Sequence, residues 1–289
     1  MTALSPRYRS LSGLLCGIVL LAGCDMVVLR PSGYVATQQG QLVVMSTFLM
    51  LLIIVPVIVL TLAFAWRYRA SNTAARYTPD WDHSVQLELL IWAAPLLIII
   101  LLGALTWIGT HTLDPYRPLT RIDATRPLPD GTEPLVVEVI ALDWKWLFIY
   151  PDLDIAVVNE LAAPVDVPIR FKITASSVMN SFFIPALAGQ IYAMPSMETT
   201  LHAVINRPGE YVGFSANFSG AGFSDMRFVV EAVPADQFAT WLTSTQGSGE
   251  KLDVASYGKL GRPGLVDKPV TFGSVAPGVF ESAIRNAIQ

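Results

Sequence analysis

Two cysteines and three histidines are the only thiol and imidazole groups in this 289-residue chain, and their placement excludes most uses of them. Cys16 and Cys24 lie close together near the amino end, whereas His83, His111 and His202 are far apart. A centre built from soft ligands needs several such groups converging, and only His202 falls in the large carboxyl-terminal region. Glu88 is the exception among the acids, because it sits in a strongly apolar stretch. An ionisable side chain there costs a few kcal/mol unless it faces protein or water, so Glu88 is a candidate for proton handling. Snorkelling to the membrane surface is its structural alternative. Asp152 and Asp154 follow Tyr150-Pro151 and read as turn residues. His111 and His202 have no companion ligands nearby and read as structural. No nucleophile triad, paired-carboxylate pattern or phosphate-binding loop stands out.

The elements that must position Glu88 are membrane helices. The chain is 53% hydrophobic and only 15% charged, against about a quarter charged in ordinary soluble domains. The net charge is −4 with no Lys/Arg-rich block, which excludes nucleic acid as a partner. Residues 41–66 and 85–109 are almost unbroken apolar runs. Each is about 25 residues long, enough at 1.5 Å per residue to cross a ~30 Å hydrocarbon core. Pro56 and Pro95 lie inside these spans, a defect that membrane helices tolerate when neighbours compensate. The connecting segment, 67–84, carries Arg67, Arg69 and Arg76 against Asp80 and Asp82. The positive-inside rule therefore places it in the cytoplasm and returns both termini to the outer side.

Beyond the spans, residues 110–233 form an expected all-β domain. Short β-branched and aromatic runs at 135–140, 166–173, 199–206, 210–218 and 227–233 are separated by turn signals such as Arg207-Pro208-Gly209-Glu210. The spacing fits a sandwich or a barrel. In the 234–289 tail, Asp236 is placed to cap a short helix presenting Phe238, Trp241 and Leu242. Tyr257, Leu260, Phe272, Val279, Phe280, Ile284 and Ile288 make the rest too apolar for a free tail, so it packs on the domain or on a partner.

At the amino end, Arg7 and Arg9 precede an apolar run, 11–21, too short to span a bilayer and typical of a signal peptide. Leu21-Ala22-Gly23-Cys24 resembles the bacterial lipobox, in which the peptide is cut before the cysteine and its thiol is acylated. Residues 1–23 would then be removed, Cys24 would carry a covalent lipid on the outer side, and 24–40 would be an outer segment. That thiol would be unavailable to a disulfide or a metal.

An acylated cysteine, two spans and an outer β-domain together resemble subunit II of the haem-copper terminal oxidases, whose fold is a helical hairpin followed by a cupredoxin-like sandwich. Asp143-Trp144-Lys145-Trp146 stands where that family has its tryptophan-rich strand, with Trp144 and Trp146 expected to share one strand face. Ser177-Val178-Met179-Asn180-Ser181-Phe182-Phe183-Ile184-Pro185 and Gly189-Gln190-Ile191-Tyr192-Ala193-Met194-Pro195 resemble the cytochrome bo-type ubiquinol oxidase branch. In the cytochrome c oxidase branch this domain holds a dinuclear copper centre on two His, two Cys, a Glu and a Met. By that resemblance the histidine positions hold Asn180 and Phe223, the cysteine positions Ser215 and Ser219, the glutamate position Asn217, and only Met226 is retained. Serine hydroxyls do not bridge copper as thiolates do, and a phenyl ring cannot coordinate.

The resemblance implies a non-redox subunit of a proton-pumping complex that reduces oxygen with electrons from ubiquinol. It implies no catalytic centre and no metal in this chain, haems and one copper in a partner subunit I, further partners in subunits III and IV, and no contact with cytochrome c. Glu88 matches a subunit II glutamate at the mouth of a proton channel leading into subunit I. Location would be the bacterial inner membrane, with the large domain periplasmic. The competing reading is a freestanding membrane lipoprotein whose β-domain binds a ligand or assists assembly.

Overall fold

The computed structural model describes residues 26–76 and 78–287. Cys16, Cys24, the signal peptide and the lipobox lie outside the described residues. Two long helices, α1 (Tyr34–Arg67) and α2 (Val85–Thr112), carry the apolar runs, with Pro56 and Pro95 inside them. Both are long and apolar enough to cross a membrane. They approach each other at their outer ends, where a Cβ on Gly109 would stand 3.0 Å from the Leu42 side chain.

The first helix starts at Tyr34, about two turns before the expected 41. The added turns contain Thr37, Gln38 and Gln39 and touch the β-domain, with Val35, Ala36 and Gly40 buried. The chain is clamped as it enters: Ser32 N–H donates to the Ala186 carbonyl at 2.8 Å and Ala36 N–H to that of Leu187 at 3.1 Å. Gly33 bridges Ile205, and a side chain there would come within 2.6 Å of the Leu187 oxygen, so only glycine fits. Docking on the domain, not apolarity, sets where this helix begins.

The domain is a sandwich. One sheet contains β1 (Leu135–Leu142), β2 (Lys145–Tyr150), β3 (Ile155–Val158), β5 (Pro168–Ala175), β8 (Thr199–Val204) and β12 (Val270–Phe272), in the order β12-β3-β2-β1-β5-β8. The facing sheet is built from β4 (Glu160–Pro164), β6 (Asn180–Phe183), β7 (Ile191–Ala193), β9 (Gly209–Ser215) and β10 (Arg227–Val233), in the order β4-β10-β9-β6-β7. β1 runs parallel to β5 and antiparallel to β2, and β10 runs parallel to β4. Trp146, Phe148, Phe171, Phe182 and Phe228 fill the space between the sheets.

The six-stranded sheet is buried on its other face too. Ile140, Leu142, Leu147 and Ile149 point away from the inter-sheet core and meet Leu252, Phe272, Val279, Phe280 and Ala283 from the tail. This is why β2 reads as a continuous apolar run where a half-exposed strand would alternate. The tail is folded around the short strands β11 (Lys251–Leu252) and β13 (Ser274–Val275) and the helices α3 (Ala235–Gln246), α4 (Val254–Leu260) and α5 (Val279–Asn286). Its strand β12 pairs antiparallel with β3. The residue at the N-cap of α3 is Pro234, and Asp236 lies in the first turn without capping it, which corrects the expected cap. Trp241 holds this helix instead, donating its indole N–H to Glu160 at 3.0 Å.

Polar groups fasten the tail. Lys145, almost fully buried, donates to the carbonyls of Arg262 and Gly264, both at 2.9 Å. Burial pushes its ammonium down from the ordinary lysine range, against the opposing pull of Asp143. Asn159 accepts from Trp146 N–H at 2.8 Å and donates to the Val266 carbonyl at 3.2 Å.

Glu138 lies on the tail-covered face of β1, 9% exposed. Burial pushes its carboxyl up to about 7 from 4.5, with Glu281, Glu198 and Asp152 adding to the shift and Lys172 opposing it. The folded chain therefore keeps a proton that the unfolded chain releases near 4.5, so stability falls as pH rises from about 4.5 to about 7 and is level above that. The expected loss is up to about 3 kcal/mol. Thermal unfolding of the purified chain across that window should show the decline, and Glu138→Gln should flatten it.

Candidate functional site

The positions matched to copper ligands gather at one end of the sandwich. Asn180 opens β6, Ser215 closes β9, and Asn217, Ser219, Phe223 and Met226 lie in the loop between β9 and β10. Asn180, Ser215 and Met226 are buried. The Ser215 hydroxyl lies 3.1 Å from the Asn180 side-chain oxygen and 3.2 Å from the Asn217 carbonyl, either of which can accept its proton. Asn180 donates its amide to the Val178 carbonyl at 3.0 Å, and Asn217 donates to that of Met179 at 3.1 Å. Ser219 places its hydroxyl 3.8 Å from the Met226 sulfur. Phe223 packs edge-on against Phe218, with ring centroids 5.7 Å apart.

These are neutral groups that satisfy one another. A hydroxyl committed to an amide, an amide committed to a carbonyl and a phenyl ring leave the Met226 thioether as the only soft donor among the six positions. The set does not fit a copper ion. Among the described residues no group of three or more His, Cys, Asp or Glu side chains could hold a metal.

Trp144 closes this end, and its position corrects the sequence expectation. It does not share a strand face with Trp146: it occupies the turn between β1 and β2 at φ 66, a left-handed conformation rarely taken by a bulky residue. The ring lies over Gly222, where a Cβ would stand 2.4 Å from it, and its indole N–H donates to the Ser219 carbonyl at 3.0 Å. Ser177 hydrogen-bonds Asp143 beside it. Trp146, by contrast, is fully buried in the inter-sheet core against Phe182 and Phe228.

Glu88 lies at the far end of the molecule, in the first turn of α2, where the helix dipole favours a carboxylate. It is half exposed and accepts from or shares a proton with His83 Nδ1 at 2.7 Å, according to the tautomer. Sequence spacing did not single out this pair, because the Ser84 N-cap lies between the two residues and turns His83 back over the first turn. A carboxylate and an imidazole in contact, both open to solvent at the end of a span, can take up a proton and pass it on. The remaining candidates have structural partners. His202 faces Arg170 across β8 and β5, and burial followed by the Arg170 charge pushes its imidazole down. His111 lies against Trp107 in the last turn of α2, 2.8 Å from that residue's carbonyl. Asp154 accepts from Val275 N–H at 3.0 Å, which ties the tail to a turn.

The chain is similar to known proteins over most of its length. The family described as "Cytochrome C oxidase subunit II, periplasmic domain" matches residues 152–233. "Cytochrome bo(3) ubiquinol oxidase subunit 2" of Pseudomonas putida is 46% identical over 277 residues, covering 95% of this chain and 85% of that one. "Ubiquinol oxidase subunit 2" of Acetobacter aceti is 49% identical over 282 residues, covering 97% of this chain and 89% of that one. The chain belongs to the ubiquinol oxidase subunit II family. A solved periplasmic domain of cytochrome oxidase subunit II from Bradyrhizobium japonicum is 22% identical, with a TM-score of 0.38 over 40% of this chain and 95% of that one. As a ubiquinol oxidase subunit II, the protein is a membrane-anchored part of an oxidoreductase complex.

The hydrogen-bonded ligand positions carry a stability consequence. Asn180→Ala removes one of the two acceptors open to buried Ser215 and the donor to the Val178 carbonyl, and should destabilise the chain by about 1 kcal/mol in denaturant unfolding. Phe218→Ala, at a ring 75% exposed, should change stability by less than about 0.5 kcal/mol.

Proposed function

We propose that this subunit II serves a proton-pumping ubiquinol oxidase of the bacterial inner membrane without carrying electrons itself. The observation behind this reading is the network at Asn180, Ser215, Asn217, Ser219, Phe223 and Met226, which spends its donors and acceptors internally and offers no thiolate or imidazole. With no metal at those positions, electrons from cytochrome c have no way in through this domain. Ubiquinol delivers them directly to subunit I, whose haems and single copper carry the reduction of oxygen to water. This chain then covers the outer face of subunit I, with subunits III and IV completing the complex.

The arginines of the loop between α1 and α2 favour a cytoplasmic loop and a periplasmic sandwich. In that orientation Glu88 and His83 face the cytoplasm, where protons are loaded. The His83 ring, 2.7 Å away, holds the Glu88 carboxylate at the helix end and relays protons to it from bulk water. Acylation of Cys24 would anchor the amino end at the opposite surface.

Replacement of Glu88 by Gln in the assembled oxidase removes the proton carrier and keeps the side-chain volume. Turnover should fall by about tenfold, a barrier increase of ~1.4 kcal/mol, with the haem spectrum unchanged. Turnover equal to the wild type would remove the proton-uptake role. The same preparation should oxidise ubiquinol and leave ferrocytochrome c unoxidised.

A further inference from the structure

Where the two helices leave the membrane, a cavity of about 280 Å³, lined by polar and apolar groups in near-equal measure, opens between them and the sandwich. Tyr34, Gln38 and Gln39 of α1, Asp114 and Arg117 just beyond α2, and His202 of β8 are among the residues around it. A second, mainly apolar groove of about 420 Å³ runs down between α1 and α2, past Leu42, Met45, Leu101, Leu105 and Ile108. Gln38, Thr112 and Leu113 line both. The two adjoin at these residues, the more polar cavity at the membrane surface and the apolar groove at hydrocarbon depth, and together they outline a channel with a polar head and an apolar stem.

We propose that this channel binds one zwitterionic glycerophospholipid, with a phosphate and a primary ammonium in its headgroup and one acyl chain lying between the helices. The polar head of the channel is equipped and uncommitted. Among the described residues, the side chains of Tyr34, Gln38, Gln39 and Arg117 make no hydrogen bond to protein. Asp114 spends one carboxylate oxygen on the Tyr116 N–H at 2.9 Å, which leaves the other free.

The charges select the headgroup. The Arg117 guanidinium presents paired donors that match a phosphate. The Asp114 carboxylate, three residues earlier, can accept from an ammonium, and it would repel a headgroup that is only anionic. A choline head satisfies the charge but has no N–H to donate to that carboxylate. A neutral quinol ring would leave both charged groups unmatched. The groove explains the need for a tail: Leu105 and Ile108 would otherwise keep an apolar concavity at the depth where lipid chains are the solvent. The bound lipid would fill the gap between the helix ends and the sandwich at the point where the α1 clamp on Ala186 and Leu187 fixes their geometry.

The test is native mass spectrometry of the full chain in a mild detergent, titrated separately with dioleoyl phosphatidylethanolamine, phosphatidylglycerol and phosphatidylcholine. The expected result is one phosphatidylethanolamine per chain, retained in preference to the other two. Arg117→Ala should weaken it by about tenfold, as expected for losing a charge-assisted contact. Asp114→Asn should abolish the preference for ethanolamine over choline. Leu105→Trp, which fills the groove and leaves the polar cavity intact, should displace the lipid. Equal retention of all three lipids by the wild-type chain, or undiminished binding by the Arg117 and Asp114 variants, would overturn the proposal. So would O-phosphoethanolamine, the head without a tail, binding as tightly as the lipid, because the site would then be a small-ion pocket.

Discussion

Burial of the β1–β2 hairpin on both faces holds the rest of the molecule in place. Trp146, Phe148 and Tyr150 face the second sheet, while Leu147 and Ile149, on the same strand, face the tail. Each such side chain contributes on the order of 1.5–3 kcal/mol when removed from water. A strand with no solvent face tolerates no register slip, since either face would lose its partner. The turn at the tip of this hairpin is therefore held fixed, and it carries Trp144 onto the loop that bears Ser219 and Gly222. The architecture of this end of the sandwich follows from the same packing that stabilises the core.

That end is held by its own polar side chains. Side-chain amides and hydroxyls of Asn180, Ser215 and Asn217 are joined to one another and to the backbone. Several modest hydrogen bonds hold these loops. Each contributes only about 1 kcal/mol net, but leaving buried Asn180 or Ser215 unpaired would cost more. The loop can thus persist as a structural element held by its own hydrogen bonds.

Much of this was legible in the sequence, and the gaps have physical causes. The spans could be read because lipid leaves apolarity as the governing signal. The first turns of α1 could not, because Thr37, Gln38 and Gln39 are helical through contact with the sandwich and not through their own pattern. That Asn180, Ser215 and Ser219 are neither thiolates nor imidazoles was visible residue by residue, but the network they form depends on loop geometry. Trp144 looked like a strand residue because Asp143-Trp144 carries none of the usual signals of a tight turn. The His83 partner of Glu88 was hidden by the helix boundary between them. The tail was readable as packed because of its exposed-looking aromatics, while its edge strand at Val270–Phe272 was too short to register as a pattern.

In the proposed function the two ends of the chain divide the work: the carboxylate–imidazole pair at the loop side of the hairpin handles protons, and the sandwich at the other end is structural. The most direct test of that division is the metal content of the oxidase isolated through a carboxyl-terminal tag on this subunit. About one copper for every two haems is expected, all of it in subunit I. Additional copper that follows this chain when subunit I is removed would contradict it, because it would place a metal among Asn180, Ser215, Ser219 and Met226.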